Sequence, residues 1–185
     1  MAGGQDLAAV RGLLALLDGV NRAIYYLVGA LLAVISAVVL FQVVVRFLPA
    51  LTGINLSAPW TEELARFLLV WVIFLGAGVG CRKAQLIALE FVVRGLPRRP
   101  GQALRILALG LCLYLFWLLV SAGYQFVVII GRTELSPVMQ ISKVWVYWSM
   151  VVGGVLMAVN TLALMVEALV ERRDIRSIGG MASTD

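Results

Sequence analysis

The sequence has no histidine, only two cysteines and few charged residues. Without histidine the chain cannot form histidine-ligated haem or zinc sites or use a histidine general base. Two cysteines, Cys81 and Cys112, are too few for a disulfide framework or a cysteine-ligated metal cluster. Charged residues make up 14% of the chain, against about 25% in a typical soluble domain. These deficits argue against an enzyme and against a soluble domain.

Hydrophobic residues make up 62% of the 185 residues and fall into runs long enough to cross a bilayer, which takes about 20 residues. No proline interrupts these runs, so each predicts an unbroken helix. We therefore predict an all-α integral membrane four-helix bundle, a single membrane domain over residues 1–185. The predicted spans are 23–45, 60–81, 106–131 and 144–166.

Basic residues predict the direction of the spans. The net charge is +5, and 11 of the 15 basic residues fall in the N-terminal segment, the loop between spans two and three, and the C-terminal segment. The positive-inside rule then places both termini in the cytoplasm and two loops, 46–66 and 132–143, outside. Because this charge follows topology, we expect no nucleic-acid partner.

Two further stretches have the apolar stripe of an amphipathic helix. In residues 7–20, Leu13 and Leu17 share one face while Asp18 lies opposite. In residues 85–94, Glu90 and Arg94 form a pair four residues apart. We expect both stretches to lie flat on the cytoplasmic surface of the membrane.

Three charges mark the start of the second span. Glu62 and Glu63 lie four and three residues before Arg66, so either can pair with it on one helix face. One interpretation is an interfacial ion pair that anchors the helix, and another is a polar contact to a second subunit. A proton or ion site is disfavoured, because no acidic residue lies inside any apolar run.

Small and basic residues suggest two more contact surfaces. Gly76 and Gly80 have the GxxxG spacing that permits close helix approach, either within the chain or with a partner. Basic residues at the cytoplasmic side set the topology and are also candidates to bind anionic lipid headgroups. These headgroup candidates are Arg82, Lys83, Arg98, Arg99 and Arg105.

Several short motifs, in order, resemble the small membrane subunit of tripartite ATP-independent periplasmic (TRAP) transporters. The resemblance covers residues 23–170 and agrees with the four predicted spans. It rests on Trp60-Thr61-Glu62-Glu63-Leu64-Ala65-Arg66, Trp71, Phe74-Leu75-Gly76-Ala77 and Arg82, then Ile87 to Glu90, and finally Ser136-Pro137, Ile141, Trp145, Tyr147 and Gly153.

This resemblance implies a division of labour in a bacterial inner membrane. A periplasmic binding protein would capture an organic acid, and a large membrane subunit would carry it with sodium. The small subunit would be a non-catalytic scaffold for the large one and help dock the binding protein, with no cofactor and no sodium site of its own. Its expected interface residues are Trp60, Glu62, Glu63, Arg66, Trp71, Gly76 and Gly80.

Two other classes of function compete with this one. An autonomous proton-coupled exporter needs a carboxylate within the membrane, and the first span has none. A membrane redox enzyme of this size generally uses histidine pairs or outward cysteine pairs, and the sequence provides neither.

Overall fold

The computed structural model describes residues 2–52, 58–82 and 98–170. These residues form four long α-helices joined, between the last two, by a compact loop. Each helix has a segment long and apolar enough to cross a membrane, so the predicted all-α four-helix membrane fold is confirmed. The helices are α1 (Ala2–Thr52), α2 (Pro59–Arg82), α3 (Arg98–Ile129) and α4 (Val144–Val170).

Local chemistry explains where α2 begins. Pro59 is its first residue, a position where the missing N–H costs no hydrogen bond. The backbone N–H and the hydroxyl of Thr61 both donate to the Ala58 carbonyl, at 3.2 and 2.6 Å. Thr61 is fully buried. This turn therefore fixes the N-terminal end of α2 firmly.

The four helices pack in a row in the order α1, α2, α4, α3. Helix α2 contacts α1 on one side and α4 on the other, while α3 packs on the far side of α4. Helix α1 meets α4 only slightly, and within the described ranges α3 contacts neither α1 nor α2. The core consequently lies between α2 and α4, and α1 and α3 each leave a long face open.

Glycines let α2 and α4 approach closely. A methyl group at Gly153 of α4 would lie 2.5 Å from the Phe74 Cβ atom and 3.0 Å from the Phe74 carbonyl oxygen on α2. A methyl group at Gly78 of α2 would overlap the Leu156 side chain on α4. The central pair of helices thus packs on two positions where only hydrogen fits.

The structure differs from the prediction of a separate amphipathic helix over residues 7–20. These residues form the first part of α1, which continues without a break through the span. The physical reason is that polar residues at the end of this stretch and just after it have partners inside the protein: Asp18 pairs with Arg82 of α2, and Asn21 bonds Asn160 of α4. The second predicted amphipathic stretch, 85–94, lies outside the described residues.

Candidate subunit-contact surfaces

A buried polar junction joins the three helices α1, α2 and α4. The Asn21 amide nitrogen donates to the Asn160 side-chain oxygen at 2.7 Å, and the Asn160 nitrogen donates back to Asn21 at 2.8 Å. The Asn160 nitrogen also donates to the Gly78 carbonyl at 2.8 Å. Asn160 is fully buried and Asn21 is 5% exposed. One asparagine therefore ties α4 to both α1 and α2.

Beside this junction, an ion pair ties α1 to the end of α2. The Arg82 Nε atom lies 2.8 Å from the Asp18 carboxylate, and the Arg82 side chain is only 11% exposed. Arg82 was predicted as a lipid-headgroup ligand, and the structure gives it a protein carboxylate partner. Of the other headgroup candidates, Lys83 and the side chains of Arg98, Arg99 and Arg105 lie outside the described part of the chain.

At the opposite end of α2, the two adjacent glutamates make different contacts. Glu62 forms the ion pair with Arg66 at 2.9 Å, and both side chains are largely exposed. Glu63 instead accepts hydrogen bonds from the backbone N–H groups of Val138 and Met139 at 3.3 and 2.8 Å. Glu63 therefore ties the loop between α3 and α4 to α2, while the Glu62–Arg66 pair remains exposed.

The loop between α3 and α4, residues 130–143, is compact because its backbone groups pair with one another. The Ser136 N–H donates to the Ile141 carbonyl at 2.9 Å, and Gln140 adopts a positive φ of 55° to close the turn. Ser136 is fully buried, with its hydroxyl beside the Glu63 carboxylate, although it makes no well-formed hydrogen bond there. The loop thus presents a fixed shape.

A second ion pair spans the base of this loop. The Lys143 ammonium donates to Glu134 at 2.6 Å. This hydrogen bond raises the pKa of Lys143 above its ordinary value, although desolvation opposes the shift. The pair holds the start of α4 beside the beginning of the loop, close to the end of α3.

The remaining predicted interface residues lie along α2. Trp60 is 43% exposed, and its ring lies 6.4 Å from that of Phe41 on α1. Trp71 is half-buried. A methyl group at Gly76 would meet only Val28 of α1, at 4.0 Å, and one at Gly80 would meet nothing within 4 Å. The GxxxG pair therefore still has space beside it.

Sequence reasoning missed the residues that make the closest internal contacts. Gly78 lies between the two glycines of the GxxxG motif, and nothing in the local pattern distinguishes it from them. Asn21 lies before the first predicted span and carried no motif. Asn160 lies within the fourth predicted span, where a polar side chain generally bonds a neighbouring helix. Its two partner helices became evident only from the fold.

The described residues place ion pairs at the ends of the helices and long apolar surfaces between them. In the described ranges, no three His, Cys, Asp or Glu side chains come together in a way that could hold a metal ion. The ionised side chains that pair lie at the ends of the helices, and the apolar middle of each helix faces outward over much of its length. These features define a multi-pass membrane protein of the helical class.

Comparison with known proteins identifies the family within that class. Residues 35–171 match the model of the DctQ component of tripartite ATP-independent periplasmic transporters. The chain therefore belongs to this family and is a small permease component of a TRAP transporter.

Relatives agree with this assignment. The chain is 24% identical to a TRAP transporter small permease protein of Haemophilus influenzae, over 81% of this chain and 89% of that protein. It is 28% identical to the sialic acid TRAP transporter small permease protein SiaQ of Vibrio cholerae, over 71% of this chain and 73% of SiaQ. It is also 32% identical to the isethionate TRAP transporter permease protein DctMQ of Oleidesulfovibrio alaskensis, over 48% of this chain and 14% of that protein.

Proposed function

We propose that this chain is the non-catalytic scaffold subunit of a sodium-coupled TRAP transporter for organic acids. It braces the large transport subunit in the bacterial inner membrane, with both termini in the cytoplasm. The observation that carries this proposal is the polar junction of Asn160 with Asn21 and Gly78, because it ties three helices together at a buried point. A subunit whose helices are held together in this way can serve as the rigid part of the complex, against which the carrier moves.

Organic acids are proposed as the substrate class because two relatives are named for sialic acid and isethionate, both of which are acids. The large partner is supported by the isethionate relative, in which the segment similar to this chain is 14% of a much longer permease. Sodium is assigned to the large subunit, since the apolar runs of this chain contain no carboxylate that could take part in a cation site.

The outer loop is proposed to help dock the periplasmic binding protein. Glu63 and the backbone of residues 134–143 hold the loop in one shape, and the exposed Glu62–Arg66 pair stands beside it. Preformed polar surfaces favour specific and fast association over tight binding. That behaviour suits a soluble partner which must bind and leave in each transport cycle.

Reconstitution into liposomes tests the scaffold role. The large subunit, this chain and the binding protein are combined with labelled sialic acid or isethionate and an inward sodium gradient. Uptake is expected only when all three are present. Transport by this chain alone, driven by a proton gradient, would overturn the proposal and favour an autonomous exporter.

A further inference from the structure

The open face of α3 carries a stripe of polar, aromatic and small residues. Their spacing of three and four residues places them on one side of the helix. This side points away from α4, against which Gly123 and Val127 of α3 are buried. We call this set the α3 stripe: Gly110, Tyr114, Trp117, Ser121, Tyr124 and Gln125.

Three aromatic members of the stripe are strongly exposed. Tyr114 is 55% exposed, Trp117 is 63% exposed and Tyr124 is 57% exposed. The rings of Tyr114 and Trp117 stack on each other, with their centroids 6.1 Å apart. Gly110 leaves space beside them, because a methyl group there would meet nothing within 4 Å. The stripe thus combines a flat aromatic surface with an open notch.

The depth of these residues makes lipid an unsuitable neighbour. Trp117 lies about 16 Å along α3 from Ile106, in the middle of the apolar segment that ends at Ile129. Among the described residues, the Tyr114 hydroxyl and the Trp117 indole N–H have no hydrogen-bond partner. Acyl chains cannot accept a hydrogen bond, and an unpaired polar group in hydrocarbon costs free energy.

On the other three helices, the exposed aromatic residues that carry a polar group lie near the ends of the apolar runs and not in the middle. Tyr26 is at the inner end of the first apolar run, while Trp60, Trp145 and Trp148 lie near the outer ends of α2 and α4. Those are the depths at which aromatic belts meet lipid headgroups. The exposed residues of α4 beyond Trp148 are apolar, for example Val155 and Leu162. The α3 stripe is therefore unlike an ordinary lipid-facing surface.

We propose that the α3 stripe is the surface on which a transmembrane helix of the large transport subunit packs. This inference rests on the proposed function, because it assumes that such a subunit is present. The partner helix carries small residues opposite Trp117 and oxygen acceptors for the Tyr114 hydroxyl and the indole N–H. Small residues and side-chain hydrogen bonds are what hold helices together in a membrane.

A second copy of this chain is a poorer occupant of the same surface. In a symmetric pair the same residues face each other. The indole N–H of Trp117 can only donate a hydrogen bond. In a symmetric pair the two Trp117 indole N–H groups would meet at the same depth and could not bond each other, whereas a different helix can place an oxygen acceptor there.

Site-specific photo-crosslinking in membranes tests this surface. A benzophenone amino acid replaces Tyr114, Trp117 or Tyr124 in the chain co-expressed with the large subunit, and Leu40 of α1 or Leu162 of α4 in the controls. Leu40 and Leu162 are 65% and 48% exposed. We expect crosslinks to the large subunit from the three stripe positions and none from the controls. Crosslinks from the controls alone, a dimer of this chain, or adducts only with lipid would overturn the proposal.

Matched substitutions supply an independent readout. The double variant Tyr114→Phe with Gln125→Leu removes polar groups and little volume, and Tyr26→Phe makes the same aromatic change at an exposed site on α1. We expect the double variant to reduce recovery of the large subunit by roughly three- to tenfold, the size of one or two hydrogen bonds in a membrane, and Tyr26→Phe to leave it unchanged. Equal recovery for both would overturn the proposal. If the unaltered chain recovers no large subunit, the proposed function itself fails.

Discussion

Asn21 and Asn160 form a reciprocal pair of side-chain hydrogen bonds, at 2.7 and 2.8 Å, between residues 139 positions apart in the sequence. An amide pair of this kind satisfies a donor and an acceptor on each residue. The second N–H of the Asn160 side chain donates to the Gly78 carbonyl. The junction therefore sets the rotation of α1 and α4 about their own axes as well as their contact.

Replacing Asn160 with leucine is expected to destabilise the isolated chain by about 1–3 kcal/mol, because three hydrogen bonds are lost and buried groups on two helices are left unpaired. Val159→Leu, at the adjacent and more exposed position, is the control. Thermal unfolding in detergent measures both. A double-mutant cycle with Asn21→Ala should give a coupling near 1 kcal/mol; additive effects would show that the pair contributes nothing jointly.

Substitutions at Glu63 and Glu62 should have different effects on the loop, because only Glu63 bonds its backbone. Glu63→Ala removes the acceptor for the Val138 and Met139 N–H groups, so hydrogen exchange at Met139 is expected to become several-fold faster. Glu62→Ala should leave that exchange unchanged, since Glu62 bonds only to Arg66 among these groups. The same exchange rate in both variants would mean that Glu63 does not hold the loop.

Two glycines should respond to alanine in opposite ways. Gly153→Ala forces a methyl group against Phe74, and we expect a loss of about 1–3 kcal/mol as α2 and α4 separate. Gly80→Ala has open space and should stabilise the isolated chain by about 0.5–1 kcal/mol through its better helix propensity. Thermal unfolding compares them. If Gly80→Ala weakens recovery of the large subunit while the chain itself stays folded, Gly80 lies in that interface.

The Asp18–Arg82 ion pair should contribute a small amount to stability and more to the position of α1. Asp18→Asn is expected to lower stability by no more than about 1 kcal/mol, because the carboxylate is 57% exposed and screened by water. Distances between spin labels on α1 near Asp18 and at the C-terminal end of α2 should broaden in this variant. The exchanged pair Asp18→Arg with Arg82→Asp should restore the narrow distribution, and an unchanged distribution in Asp18→Asn would refute this role.

Hydropathy in the sequence determined the number and type of the helices. Four apolar runs of sufficient length predict four membrane helices. Backbone N–H and C=O groups in lipid must bond within the protein, and a single segment achieves this only as an α-helix. The order of short motifs from Trp60 to Gly153 resembled the correct family before any fold was known. Pro59 is the first residue of α2, which fits the local rule that a proline ring is tolerated only in the first turn of a helix. Each of these signals is local and needs no knowledge of neighbouring helices.

Only the tertiary structure decided which polar groups meet. The sequence allowed either Glu62 or Glu63 to pair with Arg66, and packing of the outer loop on α2 left Glu62 for the arginine. Periodicity likewise suggested a separate surface helix over residues 7–20, whereas Asp18 and Asn21 face α2 and α4. The physical reason is that a polar side chain fixes its own position along one helix, but its partner depends on how other helices are ordered and rotated.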